Sequence, residues 1–416
     1  MRMTRSLLVV TLLLLLSPAA IAQDSATPAA AASQAQGGDV LWYGKAPPGW
    51  GGVVTDMKLI APNVGWAERG GRLYLTTDNG ANWKDITPPG DGTFGSVFFL
   101  DGEKGWVTIN HLQSPGVEQK FEVLSTKDAG ATWSRATFPL RQRDYGISLP
   151  DLRGGSVGTI SFSDSLHGWM NIWFEEQTPN TFASSLLLTS DGGRTWTPAA
   201  GAPSMKSPEM LLTTPSYGWL YGFEFNSGWA LYVTRDGARS WQEVDLELPD
   251  SEMSHVIGLP IFVDDQDGFL QVNGIRRMGR ELILTMALMR TSDGGRTWQP
   301  DRMVANLDDI GRQQYSSSTV IGSNWIFAAS AGHHPLLTRV VTGAKIDAGT
   351  NSTASLSHYD AVDHISFANP AQGWVIGDDG YLMSTTDGGA NWTNISPGPQ
   401  PHVIQPHGSF VSRPAS

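Results

Sequence analysis

Six aspartates recur at the same position of one octapeptide and are the first candidates for chemistry in this chain. The octapeptides are TTDNGANW (76–83), TKDAGATW (126–133), TSDGGRTW (189–196), TRDGARSW (234–241), TSDGGRTW (291–298) and TTDGGANW (385–392). Six carboxylates could bind metal or act as acids. They occur once per copy, however, at intervals of 45 to 94 residues. We therefore do not expect them to meet at one site.

The octapeptide is better explained as a turn. An Asp side chain accepts hydrogen bonds from N–H groups shortly after it, and Gly at the fifth position permits positive φ. The terminal Trp would bury its ring against a neighbouring strand or blade. In the fourth copy Ala238 replaces this Gly, which predicts a strained turn. The residues with this predicted structural role are Asp78, Trp83, Asp128, Trp133, Asp191, Trp196, Asp236, Trp241, Asp293, Trp298, Asp387 and Trp392.

Other residue groups could bind a ligand. Arg276, Arg277 and Arg280 could grip a carboxylate or phosphate, although a solvated hairpin tip explains them as well. Glu175-Glu176 beside Trp173 could recognise a sugar or supply an acid, or lie in a solvated loop. Tyr145 lies in another irregular segment, 141–145. His333-His334 could be metal ligands, but no carboxylate spacing supports them. We expect neither a bound metal nor a cofactor.

A second motif shows which elements must position these residues. A Gly-Trp pair precedes each octapeptide at 65–66, 105–106, 168–169, 218–219 and 373–374, with Gly268-Phe269 as a variant. The last interval between octapeptide aspartates, from Asp293 to Asp387, is about twice the others. It should therefore contain a unit that has lost its octapeptide, with Asn324-Trp325 in the place of the Gly-Trp pair. The two motifs and Trp325 account for 12 of the 16 Trp.

Each unit predicts four short strands joined by tight turns. We therefore predict an all-β fold, a seven-bladed β-propeller with four-stranded antiparallel blades. A solenoid is the alternative. The predicted organisation is a signal peptide over 1–22, a disordered linker over 23–38, the propeller over 39–400 and a C-terminal tail over 401–416. Either 40–44 or 409–412 could supply the strand that closes the ring.

The lengths of the loops predict which rim of the propeller binds the ligand. In such a blade the 1–2 and 3–4 turns share one rim, whereas the 2–3 turns and the crossovers share the other. The 1–2 and 3–4 turns are nearly constant in length from blade to blade, whereas the 2–3 turns and the crossovers vary in length. Because variable surface loops carry function, we expect the rim opposite the octapeptides to bind the ligand. The segments on that rim are 111–120, 175–181, 273–281, 141–145, 308–315 and 351–360.

The N-terminus and the composition bear on location. Arg2 and Arg5, the apolar run Leu7–Leu16 and the Ala20-Ile21-Ala22 site are typical of a cleaved secretory signal, with an uncleaved anchor as the alternative. Cleavage takes the net charge from −12 to −14, which argues against nucleic-acid binding. With no Cys, disulfides and thiolate sites are excluded. We predict a periplasmic or secreted protein, a monomer with no membrane span after cleavage.

The S/T-x-D-x-G-x-x-W octapeptide resembles the Asp-box, or bacterial neuraminidase repeat. Together with the Gly-Trp pair, residues 367–392 are most similar to the photosystem II stability/assembly factor family. That resemblance covers six of the units and implies a lumenal or secreted propeller that binds a membrane-protein assembly intermediate and is not an enzyme. Members of that family are thought to bind through a basic patch, from which this acidic chain departs.

The resemblance to Asp-box enzymes is less complete. A sialidase would need an Arg triad that begins in an F/Y-R-I-P-like segment, and residues 39–75 offer only Arg69 and Arg72 without that segment. A carboxylate pair for acid–base catalysis stays open. We predict a non-catalytic propeller that binds a protein partner in the cell envelope as an assembly factor or scaffold. The alternatives are a glycoside hydrolase and a carbohydrate-binding propeller.

Overall fold

The computed structural model describes the chain in segments between residues 52 and 398. These segments are 52–111, 120–141, 144, 152–176, 182–224, 228–246, 254–262, 264–278, 281–307, 316–321, 324–329, 336–341, 352–355, 362–377 and 380–398. The regular elements of these segments are β-strands. The predicted signal peptide, linker and tail lie outside the described residues.

The strands form seven antiparallel sheets that follow one another along the chain. The first three sheets consist of β1 (Val54–Ala61), β2 (Val64–Arg69), β3 (Arg72–Thr76) and β4 (Lys84–Asp85); β5 (Thr93–Phe99), β6 (Gly105–Asn110), β7 (Lys120–Thr126) and β8 (Ser134–Pro139); and β9 (Leu152–Phe162), β10 (Gly168–Glu176), β11 (Phe182–Thr189) and β12 (Thr197–Pro198).

The remaining four sheets complete the propeller. They consist of β13 (Lys206–Thr214), β14 (Tyr217–Glu224), β15 (Gly228–Thr234) and β16 (Gln242–Glu243); β17 (Ser254–Ile257), β18 (Ile261–Phe262), β19 (Gly268–Met278), β20 (Glu281–Thr291) and β21 (Gln299–Leu307); β22 (Ser316–Ile321), β23 (Asn324–Ala329), β24 (Leu336–Val341) and β25 (Ser352–Ser355); and β26 (Val362–Phe367), β27 (Gly373–Gly377), β28 (Leu382–Thr385) and β29 (Thr393–Asn394).

The prediction of four strands in every blade is correct for six sheets and wrong for the fifth, which has five. The first strands of sheets 1, 2, 3, 4 and 7 each contain a register shift, where their pairing with the second strand slips. In sheet 5 Gly258, Leu259 and Pro260 separate β17 from β18 at the corresponding place. Because Pro has no N–H to donate to the ladder, this shift widens into a break.

The sheets pack side by side, with the first strand of each blade innermost. Strand β9 contacts both β5 and β13, and β26 contacts both β22 and β1. Sheet 7 therefore lies against sheet 1, where the Val54 amide donates to the Gly380 carbonyl at 2.8 Å and the Leu59 amide donates to Ser366 Oγ at 3.1 Å. The segments proposed to close the ring, 40–44 and 409–412, lie outside the described residues.

The Trp residues of the Gly-Trp pairs make up much of the core between blades. Their side chains are buried in Trp66, Trp106, Trp169, Trp219 and Trp374. In the first and fourth blades the paired Gly lets the preceding blade approach closely, since a Cβ on Gly65 would lie 2.4 Å from the Trp374 ring and one on Gly218 would lie 2.4 Å from the Trp169 ring. In the other blades the paired Gly makes room for a Phe of its own first strand or of β18, which are Phe99, Phe162, Phe262 and Phe367. The Trp at the end of the octapeptide is less deeply placed than expected. Among these six, only Trp298 is buried.

Candidate binding surface

Backbone hydrogen bonds place the octapeptides and the 1–2 turns on one rim. In six blades an octapeptide N–H donates to the carbonyl of the 1–2 turn of the same blade, as from Asn79 to Asn63 at 2.9 Å and from Gly192 to Leu166 at 2.9 Å. The other four bonds run from Ala129 to Glu103, Gly237 to Ser216, Gly294 to Gln266 and Gly388 to Ala371. The 2–3 hairpins therefore end at the opposite rim, which we call the hairpin rim.

Each octapeptide carboxylate is used inside its own turn. Asp387 Oδ1 accepts from Thr385 Oγ1 at 2.8 Å and from the Asn391 amide at 2.9 Å, and its Oδ2 accepts from Asn391 Nδ2 at 2.7 Å. The side-chain bond from Asn391, its backbone bond and the bond from Thr385 lower the pKa of Asp387 to about 2. Related bonds lower the pKa of Asp78, Asp128, Asp191, Asp236 and Asp293.

The backbone of the turn is left-handed at the fifth position. Gly80 has φ of 83° and Gly295 has φ of 72°. Ala238 stands at this position in the fourth copy and keeps φ of 65°, which is unfavourable for a residue with a Cβ. Its side chain is buried among residues of sheets 3 and 4 that include Trp169.

Octapeptide side chains also join neighbouring blades. Trp133 Nε1 donates to the Ile86 carbonyl of the preceding blade at 3.1 Å, and Trp374 Nε1 donates to Asn79 Oδ1 of the first blade at 2.7 Å. In contrast, Trp196 and Trp392 donate to Gly193 and Gly389 of their own turns. These contacts explain the octapeptide rim by packing and hydrogen bonding alone.

The residues predicted to bind a ligand lie on the hairpin rim where they are described. Arg276 and Arg277 lie near the end of β19, paired with Ile283 and Leu282 of β20. Glu175 and Glu176 end β10 in the third blade. The two pairs therefore belong to different blades. Tyr145, Arg280 and His333-His334 lie outside the described residues.

An exposed tryptophan marks this rim on the fourth blade. Trp229 stands second in β15, next to the hairpin end, and 42% of its surface is exposed. Its ring stacks on buried Tyr221 at 5.1 Å with an interplanar angle of 17°, and Phe223 meets it edge-on at 5.8 Å. Tyr221 belongs to the core cluster shared with sheet 5. Trp229 therefore lies at the junction of the fourth and fifth blades.

The fifth blade rises above that junction. Gly218 and Gly268 occupy equivalent places, since each pairs with the Thr that ends the third strand of its blade. From these residues β14 continues to Glu224, whereas β19 continues to Met278. The difference of four residues corresponds to about 13 Å. The fifth blade thus forms a wall with Arg276 and Arg277 near its top, and the Trp229 ring lies at its foot.

Trp229 is not among the residues that the sequence predicts to bind a ligand. The available signal was composition, because Trp229 is one of four Trp, together with Trp42, Trp50 and Trp173, that neither motif nor the degenerate unit explains. Since such a Trp has no predicted role in the repeat, it is a candidate for a role at the surface.

A second group of titratable residues lies on the first two strands of the first blade, β1 and β2. Asp56 pairs directly with Glu68 across β1 and β2, and Lys58 follows two residues later on the same face. Desolvation, followed by the charge of Asp56, raises the pKa of Glu68 to about 8. Desolvation lowers the pKa of Lys58 to about 8, although Asp56 opposes this change. Asp56 and Glu68 form a close carboxylate pair of the kind that the sequence left open.

Other charged residues on the hairpin side are engaged in structural bonds. The buried Glu122 carboxylate accepts from Arg135 Nη1 at 2.8 Å and lies 3.3 Å from His111 Nε2. Arg69 donates to the carbonyls of Gly52 and Pro397, which ties both ends of the described propeller together. Arg72, the other arginine considered for a sialidase site, pairs with Asp85.

Within the described segments, no group of three or more His, Cys, Asp or Glu side chains is arranged to hold a metal ion. Over the same residues, no helix has the length and apolar character needed to cross a bilayer.

Comparisons with known proteins give weak similarities. No protein-family profile matches the sequence, and no curated protein sequence matches it. Among solved structures, YCF48 from Cyanidioschyzon merolae is 18% identical over 76% of this chain and 89% of its own, with a TM-score of 0.46. YCF48 bound to a D1 peptide is 18% identical over 74% and 83%, with a TM-score of 0.42.

An enzyme of similar shape also appears. The GH93 α-L-arabinofuranosidase of Fusarium graminearum, in complex with arabinobiose, is 11% identical over 74% of this chain and 96% of its own, with a TM-score of 0.44. The β-propeller architecture follows from the seven sheets themselves.

Proposed function

We propose that this protein is a non-catalytic β-propeller that binds a protein partner through the hairpin rim, as an assembly factor or scaffold in the cell envelope or outside the cell. The observation that carries the proposal is the corner formed by the exposed Trp229 and the taller fifth blade beside it. Aromatic rings held rigidly at the surface are typical anchors of protein interfaces.

The chemistry of the corner supports binding more than catalysis. It combines an aromatic floor with the backbone of a projecting sheet, and its predicted ligand residues are arginines. Arg and Trp are the residue types most enriched among those that dominate interface energies. The similarity to YCF48, whose solved complex contains a D1 peptide, agrees with this proposal without carrying it. The secreted location rests on the N-terminal sequence.

The chain offers a matched pair of variants for the test. Among the described residues, the two large hydrophobic side chains that are most exposed are Trp229 at 42% and Leu166 at 48%. They lie on opposite rims, since Leu166 belongs to the 1–2 turn of the third blade. Purified wild-type, Trp229→Ala and Leu166→Ala proteins should be used as bait with an envelope fraction, and recovered proteins quantified by mass spectrometry.

We expect one or more proteins to be recovered with wild type and Leu166→Ala and to fall roughly tenfold with Trp229→Ala, as for loss of an interface anchor. A triple Ala variant at Arg276, Arg277 and Arg280 tests the wall separately. Equal recovery with all baits would contradict the proposal. Hydrolysis of a glycan panel by the pure protein would favour the enzyme instead.

A further inference from the structure

We propose that the corner recognises an extended polypeptide segment that carries an apolar side chain and, three residues away, a carboxylate. This inference rests on the proposed function and specifies the partner's chemistry. It is carried by the register of three strands in the fourth blade.

The register brings three side chains into one row. Lys206 of β13 lies directly opposite Phe223 of β14, and Phe223 lies directly opposite Trp229 of β15. Directly opposite residues of antiparallel strands project from the same face of a sheet. The row therefore reads cation, aromatic, aromatic from the innermost strand outward, and it faces the taller fifth blade.

Trp229 is suited to hold an apolar side chain. One face of its ring is covered by Tyr221, and Phe223 fixes its edge, so the indole is held in place while much of its surface stays exposed. A ring that is ordered before binding loses little conformational entropy when a partner covers it.

Lys206 supplies the charge. Its side chain is exposed at the start of β13, and Arg276 and Arg277, near the end of β19, lie on the same rim. The nearby carboxylate of Glu224 is engaged elsewhere, because it accepts from Tyr232 Oη at 3.0 Å, and Tyr232 packs with the cluster shared with sheet 3. Lys206 is the charged residue of this row and can pair with an acidic group of a partner, while Glu209 stands opposite Tyr221 on the same face.

The strand spacing sets the distance between the two contacts. Adjacent strands lie about 4.8 Å apart, so Lys206 and Trp229, two strands apart, are separated by about 10 Å. An extended peptide rises about 3.3 Å per residue, so three residues span this distance. The matching segment runs across the strands of the fourth blade, along the foot of the wall.

The probe is a set of acetylated, amidated and fluorescently labelled peptides. The reference peptide is Gly-Ser-Phe-Gly-Ser-Glu-Gly-Ser, with Phe and Glu three residues apart. One variant replaces Glu with Gln, and two others place Glu one or five residues after Phe. Binding is measured by fluorescence anisotropy with the full protein at low salt, up to millimolar concentrations, because isolated short peptides bind weakly.

We expect the reference peptide to bind roughly three- to tenfold more tightly than the Gln peptide and the misplaced-Glu peptides. Lys206→Gln should equalise the Glu and Gln peptides, whereas Trp229→Ala should weaken every peptide and Leu166→Ala should change none. Circular dichroism confirms that each variant is folded.

The inference would be overturned if the reference, Gln and misplaced-Glu peptides bound with equal affinity. It would also be overturned if no peptide bound at millimolar concentration. If an oligosaccharide bound in a Trp229-dependent way, the corner would be a sugar site and not a peptide site. If analytical ultracentrifugation showed dimerisation that depends on Trp229, the occupant would be a second copy of the chain. If partner recovery from the envelope fraction still depends on Trp229 while the peptides show no preference, the peptide inference fails and the proposed function stands.

Discussion

The indole Nε1–H of Trp83 donates a hydrogen bond of 2.6 Å to the carbonyl oxygen of Ile395. This bond joins the first blade to the last, and Trp133 makes the same bond to Ile86 between the second blade and the first. The side chains of Ile395 and Ile86 also fill the space beside Gly80 and Gly130, where a Cβ would lie 2.7 Å and 2.5 Å away. The junction of first and last blades thus uses a contact that also occurs inside the ring.

We predict that Trp83→Phe loosens this junction. The variant removes one hydrogen bond, which should lower the free energy of unfolding by about 1 kcal/mol. Amides that cross the junction, Val54 and Leu59, should exchange faster in hydrogen-exchange mass spectrometry. Trp196→Phe is the control, because Trp196 donates within its own turn. Equal exchange of Val54 and Leu59 in both variants would show that the Trp83 bond does not hold the junction.

Gly295, at the fifth position of its octapeptide, should be required for two separable reasons. Gly295 has φ of 72°, and a Cβ there would lie 2.5 Å from the Trp219 ring, whereas Gly71 has φ of 73° and open space around it. Gly71→Ala should therefore lose about 1 kcal/mol for the backbone alone. Gly295→Ala should lose about 2–4 kcal/mol, because overlap with Trp219 adds to the backbone cost. Urea unfolding measures both, and equal losses would contradict the packing role of this Gly.

Glu68 should make stability fall as pH rises from about 4.5 towards 8. Its pKa in the folded protein is about 8, so the folded state holds a proton that the unfolded state releases over this window. Glu68→Gln removes this effect and should raise the free energy of unfolding at pH 8 by about 1–2 kcal/mol, after allowance for solvent screening, with little change at pH 4.

The control for Glu68 is the exposed Glu103, changed to Gln. The measurement is urea unfolding between pH 4 and pH 8. A constant difference between wild type and Glu68→Gln over this range would contradict a raised pKa. Lys58 acts at higher pH. Its pKa of about 8 is below that of the unfolded chain, so its contribution makes stability rise between about pH 8 and 10.5.

The titration of the octapeptide carboxylates should destabilise the protein over a narrow range of low pH. Asp236 has a pKa of about 2 because Ser240 donates both side-chain and backbone hydrogen bonds to it. Its stabilising contribution is complete above the unfolded pKa near 3.8 and is lost as the pH falls through 2. Asp236→Asn should lower stability at pH 7 and flatten the decline between pH 4 and 2. Asp265→Asn, at an exposed turn residue, serves as control, and parallel pH profiles for the two variants would argue against this role.

Much of the fold could be predicted because its signals are local. The last unit illustrates this, since the four short strands predicted for each unit are present there as β26, β27, β28 and β29. The interval expected to hide a unit without an octapeptide contains β22 to β25. The extra strand of the fifth sheet was not foreseen, because it depends on how Pro260 interrupts a strand whose pairing partner lies outside the local sequence.

The turns follow from local sequence, because the groups that shape each octapeptide lie within eight residues: Thr385 and Asn391 supply the donors that Asp387 needs. Which distant residues become neighbours depends instead on how the strands pair and the blades pack. Asp56 meets Glu68, and Lys206 aligns with Phe223 and Trp229, because register shifts and strand pairing set these contacts. The candidate surface also depends on the relative heights of two blades, and no short-range pattern of residues encodes that difference.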